Sequence, residues 1–211
     1  MNYIENVFIC LAAPLLIALF STRGKARQVL WFFLGGMTVC LLSSYISTFL
    51  AAVKGMDRLT ASLTVAPAVE EMMKFFPILF WLLVFEPGRE EVPGCILMIA
   101  AGFATFENVC YLIQNGADSI LQLLIRGFGT GAMHVVCGAL AGGGLLLLWD
   151  RPWLRRAGTA GLLAVAAAYH GIYNILVSQS GPAAVIGCLI PLATAILLWI
   201  FGGKRLRSPR S

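Results

Sequence analysis

The sequence predicts an all-α fold, a polytopic transmembrane bundle of about seven helices with its N-terminus outside, built as one unit over residues 1–211. Two observations predict it. Of 211 residues, 59% are hydrophobic and only 12% are charged, whereas a soluble domain carries about 25% charged residues. The apolar residues also gather into stretches at 3–20, 29–53, 60–85, 95–114, 120–148, 157–178 and 182–201, and about 20 such residues cross a bilayer core. Backbone polar groups in hydrocarbon must be paired within their own segment, so each stretch is expected to be helical.

The first stretch is short, and its leading residues Met1 to Glu5 lack the positive region of a cleaved signal peptide. It reads as a retained helix. The breaks after the first and third stretches carry punctuation: Ser21-Thr22-Arg23-Gly24-Lys25 and Glu86-Pro87-Gly88-Arg89. Glu86, Glu90 and Glu91 there read as solvated loop residues. The last stretch keeps its length despite Pro191. Arg23, Lys25, Arg27, Arg89, Arg151, Arg155, Arg156, Lys204, Arg205, Arg207 and Arg210 all fall on one side, eleven of the fifteen basic residues. Basic loops stay cytoplasmic, so the net charge of +5 reflects topology. The basic tail 202–211 is expected to anchor the last helix in the cytoplasm rather than to bind nucleic acid. The six cysteines (Cys10, Cys40, Cys95, Cys110, Cys137, Cys188) all sit in apolar stretches without a Cys-x-x-Cys pair, so they read as free, buried and inert.

Against this background a few residues stand out. Glu70, Glu71 and Lys74 lie in the third stretch, Glu107 in the fourth, Arg126 and His134 in the fifth, and His170 in the sixth. Each charged side chain at mid-membrane costs about 2.5–3.5 kcal/mol on insertion scales, so something inside the bundle must compensate them. At 1.5 Å per residue, Glu70 lies about 15 Å from the outer end of its stretch, Glu107 about 10 Å and His170 about 12 Å. His134 lies about 12 Å deeper than Arg126, which is expected to snorkel to the outer boundary as an anchor. Four helices thus bring polar groups to one layer in the outer half of the membrane.

Spacing refines the layer. Lys74 shares a face with both Glu70 and Glu71 and can neutralise one of them. Asn174 lies one turn outward of His170, either as an oxyanion donor or His orienter or in an interhelical hydrogen bond; Asn108 reads as structural. Gly127, Gly131, Gly138 and Gly142 line the face of His134, and such stripes let membrane helices approach closely. Phe103, four before Glu107, could wall the layer. Three carboxylates less Lys74 leave a charge of −2, which a divalent metal would cancel. Glu107, His134 and His170 form a three-ligand set suited to Zn2+, with Glu70 or Glu71 as the base that takes a proton from water. Protons could equally neutralise the carboxylates, leaving a glutamate to activate water without metal.

Glu70-Glu71-x-x-Lys74, Phe103-x-x-x-Glu107-Asn108, His134-x-x-x-Gly138 and His170-x-x-x-Asn174 follow one another in successive helices. In that order they resemble the PrsW-family intramembrane proteases. That family shares a superfamily with the CAAX prenyl proteases and bacteriocin-processing proteins, which show Glu-Glu-x-x-x-Arg and Phe-x-x-x-His where this chain has Glu-Glu-x-x-Lys and Phe-x-x-x-Glu. The resemblance spans about residues 60–180. It implies a multi-pass peptidase of the bacterial plasma membrane, classed as a metalloprotease, that makes the first cut in a single-pass anti-sigma factor. It also implies that Glu70 and Glu71 are the catalytic pair, with Glu107, His134 and His170 as metal- or water-holding residues. Relatives that work as metal-free glutamate proteases keep both mechanisms open. The contrasting readings are an ion- or proton-coupled transporter, which would favour inverted repeats that this chain lacks, and a partner- or haem-binding protein using the two histidines.

Overall fold

The computed structural model describes residues 4–116, 119–179 and 181–206, all in helices or short connections. Seven helices follow in order: α1 (Ile4–Ser21), α2 (Gly24–Val53), α3 (Arg58–Phe85), α4 (Val92–Asn115), α5, α6 (Pro152–Val177) and α7 (Pro182–Leu206). Helix α5 runs over Ile120–Gly138, passes through a π-helical segment at Ala139–Gly143, and resumes over Gly144–Leu148. Each predicted stretch is one of these helices. The expected tail continues α7 as far as Leu206, and residues 207–211 lie outside the described residues, as do the leading residues 1–3.

Hydropathy alone accounts for six of the helices, which are long and apolar enough to cross a membrane. The exception is α3, whose polar residues sit in its middle. It begins at a cap: the Asp57 carboxylate accepts from the Thr60 amide at 2.9 Å and from its hydroxyl at 2.6 Å. Those bonds satisfy an orphan amide of the first turn and, led by the hydroxyl, hold the Asp57 carboxyl below its ordinary range. Pro67 and Pro77 then lie inside α3 without ending it, as membrane helices tolerate.

The packing is a ring in which α2 touches α3 and α4, α3 touches α6, α6 touches α5, and α5 closes onto α4; α1 leans on α2 from outside, and α7 on α5 and α6. Outward faces carry bare Ile17, Phe20, Trp31, Phe49, Phe80 and Trp199. Such density of exposed large apolar side chains marks a surface that meets lipid. The chain is a multi-pass membrane protein. Cys10 belongs to that lipid face and Cys110 is half-buried, so the expectation of six buried cysteines holds for the other four only.

The glycine stripe is likewise corrected. Ideal Cβ atoms on Gly127 and Gly131 would meet nothing within 4 Å, and only Gly138 and Gly142 press on a neighbour, Ile96 of α4. The closest approach lies where periodicity did not point, between α2 and α4. A Cβ on Gly36 would stand 2.2 Å from the Ile99 carbonyl oxygen, and one on Gly102 would stand 2.0 Å from that of Phe33. Backbone on both sides leaves no side chain to yield. Gly102→Ala is therefore expected to force α2 and α4 apart, at a cost of about 1–3 kcal/mol or more, read as a lowered unfolding temperature in detergent. Gly94→Ala, with open space at its Cβ, serves as the control and should melt like the parent.

Candidate active site

The polar residues of α3, α4, α5 and α6 meet inside the ring. Glu70 and Glu71 are adjacent on α3, so they point about 100° apart and find different partners. Glu71 faces inward and is 2% exposed. Its Oε1 accepts from Lys74 Nζ at 2.7 Å, one turn on, and from His170 Nδ1 at 2.8 Å across the gap to α6. Lys74 is buried as well and donates again, to His134 Nδ1 at 2.8 Å on α5. An ammonium has no lone pair, so Nδ1 is the acceptor and the His134 proton lies on Nε2. That proton is directed at Glu107 Oε2 of α4, 2.5 Å away. Phe103 backs the centre: its ring lies 4.8 Å from that of His134 and 4.9 Å from Lys74 Nζ. The two imidazoles meet edge-on at 5.1 Å.

Lys74 thus neutralises Glu71, of the two carboxylates it could have reached. Glu70 is left with an exceptional oxygen: Oε2 is buried and has no hydrogen-bond partner among the described residues. His170 Nε2 stands 3.6 Å from it, beyond hydrogen-bonding range. Since His170 Nδ1 donates to Glu71, the Nε2 of a neutral ring presents a lone pair to a carboxylate oxygen. Two acceptors facing each other repel unless a proton or a cation lies between them.

Arg126 corrects the sequence reading. It does not reach outward as an anchor. Its guanidinium lies 3.3 Å over the Tyr111 ring, and Nη2 stands 3.7 Å from Glu107 Oε1. Glu107 and Tyr111 are four apart on α4, and that spacing was the overlooked signal. With Arg126 counted, three carboxylates face two fixed cations, and the net charge of the cluster is −1 rather than −2.

Asn174 bridges two helices. Its Nδ2 donates to the Ser62 carbonyl at 3.1 Å, tying α6 to α3 one turn on from His170; an interhelical hydrogen bond was one of its expected roles. A second clamp escaped the sequence reading: Thr130 and Tyr173, both buried, share a hydrogen bond of 2.7 Å between α5 and α6. They lie four before His134 and three after His170, on the same faces, so helical spacing from the histidines would have found them. Asn108 Oδ1 is buried without a partner among the described residues and takes no part in the cluster.

A model of a family described as "PrsW family intramembrane metalloprotease" matches residues 24–201. The chain belongs to that family. The match takes in α2 to α6 and most of α7, hence every residue of the cluster. A curated relative, the Protease PrsW of Clostridioides difficile (strain 630), is 28% identical over 134 residues, which are 57% of this chain and 56% of the relative. The chain therefore aligns with little more than half the length of that relative. No solved structure matches.

The PrsW description implies a metal, and the donors can be tested for one. Glu70, His134 and His170 each offer a ligand atom, all within 4.8 Å of one another. The set keeps both expected histidines but replaces Glu107 with Glu70. The 3.6 Å between Glu70 Oε2 and His170 Nε2 is near the separation of about 3.3 Å between two donors on one tetrahedral zinc. Glu71 receives the other imidazole N–H of His170, the carboxylate support that metal-binding histidines usually have. Donor chemistry, spacing and the orphaned oxygen fit a divalent ion, with one demand: His134 must release Lys74 or Glu107 to offer a lone pair.

Proposed function

We propose that the protein is an intramembrane peptidase in which Glu70 activates the attacking water. The observation that carries this reading is the unpartnered, buried Glu70 Oε2 facing His170 Nε2. In a site where every other carboxylate is paired, it is the acceptor still available for a proton. Glu70, His134 and His170 would hold the divalent ion, which when bound supplies Lewis acidity, polarising a carbonyl and acidifying water. A carboxylate has two oxygens and about four lone-pair sites, so holding a cation and accepting a proton are compatible for Glu70.

The remaining groups position. Glu71 accepts from His170 Nδ1 and so keeps the His170 Nε2 lone pair turned toward Glu70. Lys74 holds Glu71 ionised and fixes the His134 tautomer. Glu107 shares the His134 Nε2 proton and orients that ring. The substrate class that suits a site inside a helix ring is a membrane-spanning segment that locally unwinds, since a helical amide is protected by its own packing. The family resemblance narrows this to a single-pass protein such as an anti-sigma factor. The expected N-out orientation puts the cut near the outer face, where it would release an extracytoplasmic domain.

The test is cleavage of a tagged single-pass anti-sigma factor of the same organism in proteoliposomes. The parent is expected to cut it, and His134→Ala to lose the cut while still inserting. Chelation should abolish activity and zinc should restore it. Cleavage that survives both complete metal removal and the His134 substitution would sink the assignment. The transporter alternative predicts proton or ion flux from the same vesicles, and the PrsW assignment predicts none.

A further inference from the structure

Arg126 is the one cation of the cluster that meets its carboxylate without a hydrogen bond. Its guanidinium is drawn inward, lies flat on Tyr111, and faces Glu107 Oε1 across 3.7 Å, too far for a hydrogen bond. Its Nε is buried and has no hydrogen-bond partner among the described residues. In the planar guanidinium the Nε–H lies on the same edge as one Nη2–H. The Nε–Nη2 edge therefore carries an Nε–H without an acceptor among the described residues and an Nη2 beyond hydrogen-bonding range of Glu107.

The neighbouring donors already have partners. Lys74 gives two of its three N–H groups to Glu71 and His134, and the Asn174 amide nitrogen donates to the Ser62 carbonyl. Gly127 and Gly131, between Arg126 and His134 on α5, have open space at their Cβ positions. The fork lies beside Glu107, whose other oxygen meets His134, a ring with a ligand atom within 4.8 Å of one on Glu70, and a fixed cationic donor pair at the edge of such a centre can stabilise an oxyanion.

We propose that Arg126 is a catalytic residue whose Nε–Nη2 edge binds the scissile carbonyl oxygen, with Tyr111 holding the plane of the guanidinium. This rests on the peptidase reading above. In the step, the water oxygen bonds to the carbonyl carbon while its proton passes to Glu70. The C=O π pair moves onto oxygen, and that oxyanion is received by the Arg126 fork. Collapse re-forms the C=O bond and breaks the C–N bond, whose electron pair stays on nitrogen. The nitrogen takes the proton from Glu70, leaving a carboxylic acid and an amine.

The experiment pairs kinetics with binding. In proteoliposomes with the tagged anti-sigma factor, Arg126→Gln is expected to lower kcat by about 10²–10³-fold, the range for one oxyanion donor, with KM within threefold of the parent. Arg126→Lys should recover part of that loss. In detergent, the parent is expected to bind a phosphinic analogue of the cleaved segment more tightly than the uncleavable N-methyl amide segment. Arg126→Gln should erase that preference while keeping affinity for the amide. If the variant instead keeps kcat, or loses affinity for both ligands alike, Arg126 is an anchor or a substrate-docking group and the proposal fails. If the parent neither cleaves nor prefers the phosphinic ligand, it is the peptidase reading that has failed. Detergent melting of Arg126→Gln near the parent temperature verifies that the losses are not those of an unfolded bundle.

Discussion

Glu70→Gln is expected to remove cleavage of the single-pass substrate and to leave the bundle as stable as before, or more so. General acid–base groups contribute about 10²–10⁴-fold to rate, and here the same oxygen also belongs to the candidate metal set, so the loss should lie at the upper end. Stability should move the other way because Glu70 Oε2 has no hydrogen-bond partner among the described residues to lose. Replacing an unpaired buried acceptor with a neutral amide removes a desolvation cost. The opposed responses separate catalysis from folding in one variant: a kcat assay and a melting curve from the same preparation suffice. A variant that cleaves at the parental rate would remove Glu70 from the chemistry. One that simply melts early would show that Glu70 holds the fold.

Lys74→Met should do the reverse and damage the fold first. Its ammonium is buried between Glu71 Oε1 at 2.7 Å and His134 Nδ1 at 2.8 Å. Removing it strands Glu71 as an uncompensated charge and takes the donor from His134. Breaking a buried ion pair on one side costs about 3–5 kcal/mol, far more than an exposed pair such as Arg89–Asp150, in the loops after α3 and α5, would lose. The variant helix is more apolar than the parent, so insertion should proceed, and the fault should appear as early melting of the inserted bundle. Adding Glu71→Gln should return most of the stability without returning activity, because His170 then loses the carboxylate that orients it. If Lys74→Met melts with the parent, the pair is not buried as described.

Much of this molecule was legible from the chain. The seven apolar stretches became seven helices, with boundary differences such as α2 starting at Gly24 rather than near 29. Glu70, Glu71, Lys74, Glu107, His134 and His170 were visible because an ionisable group in an apolar run is costly, and they do meet. Arg126 was misread because snorkelling and inward folding begin from the same position on the helix, and only the neighbour decides between them. Here that neighbour is the Glu107–Tyr111 face of α4. The α2–α4 contact through Gly36 and Gly102 escaped notice because a glycine in a helix is silent about what faces it.

The membrane character and the identity of the polar residues were determined by the sequence alone. Both depend on local quantities: transfer of each segment into lipid is a sum over that segment's own residues, and an out-of-place charge declares its cost wherever it sits. Which carboxylate is neutralised, which stays free, and which histidine nitrogen carries the proton were decided only by the tertiary structure. Those choices turn on the rotation of each helix about its axis and on side chains meeting across helices, and hydrophobic periodicity does not encode either.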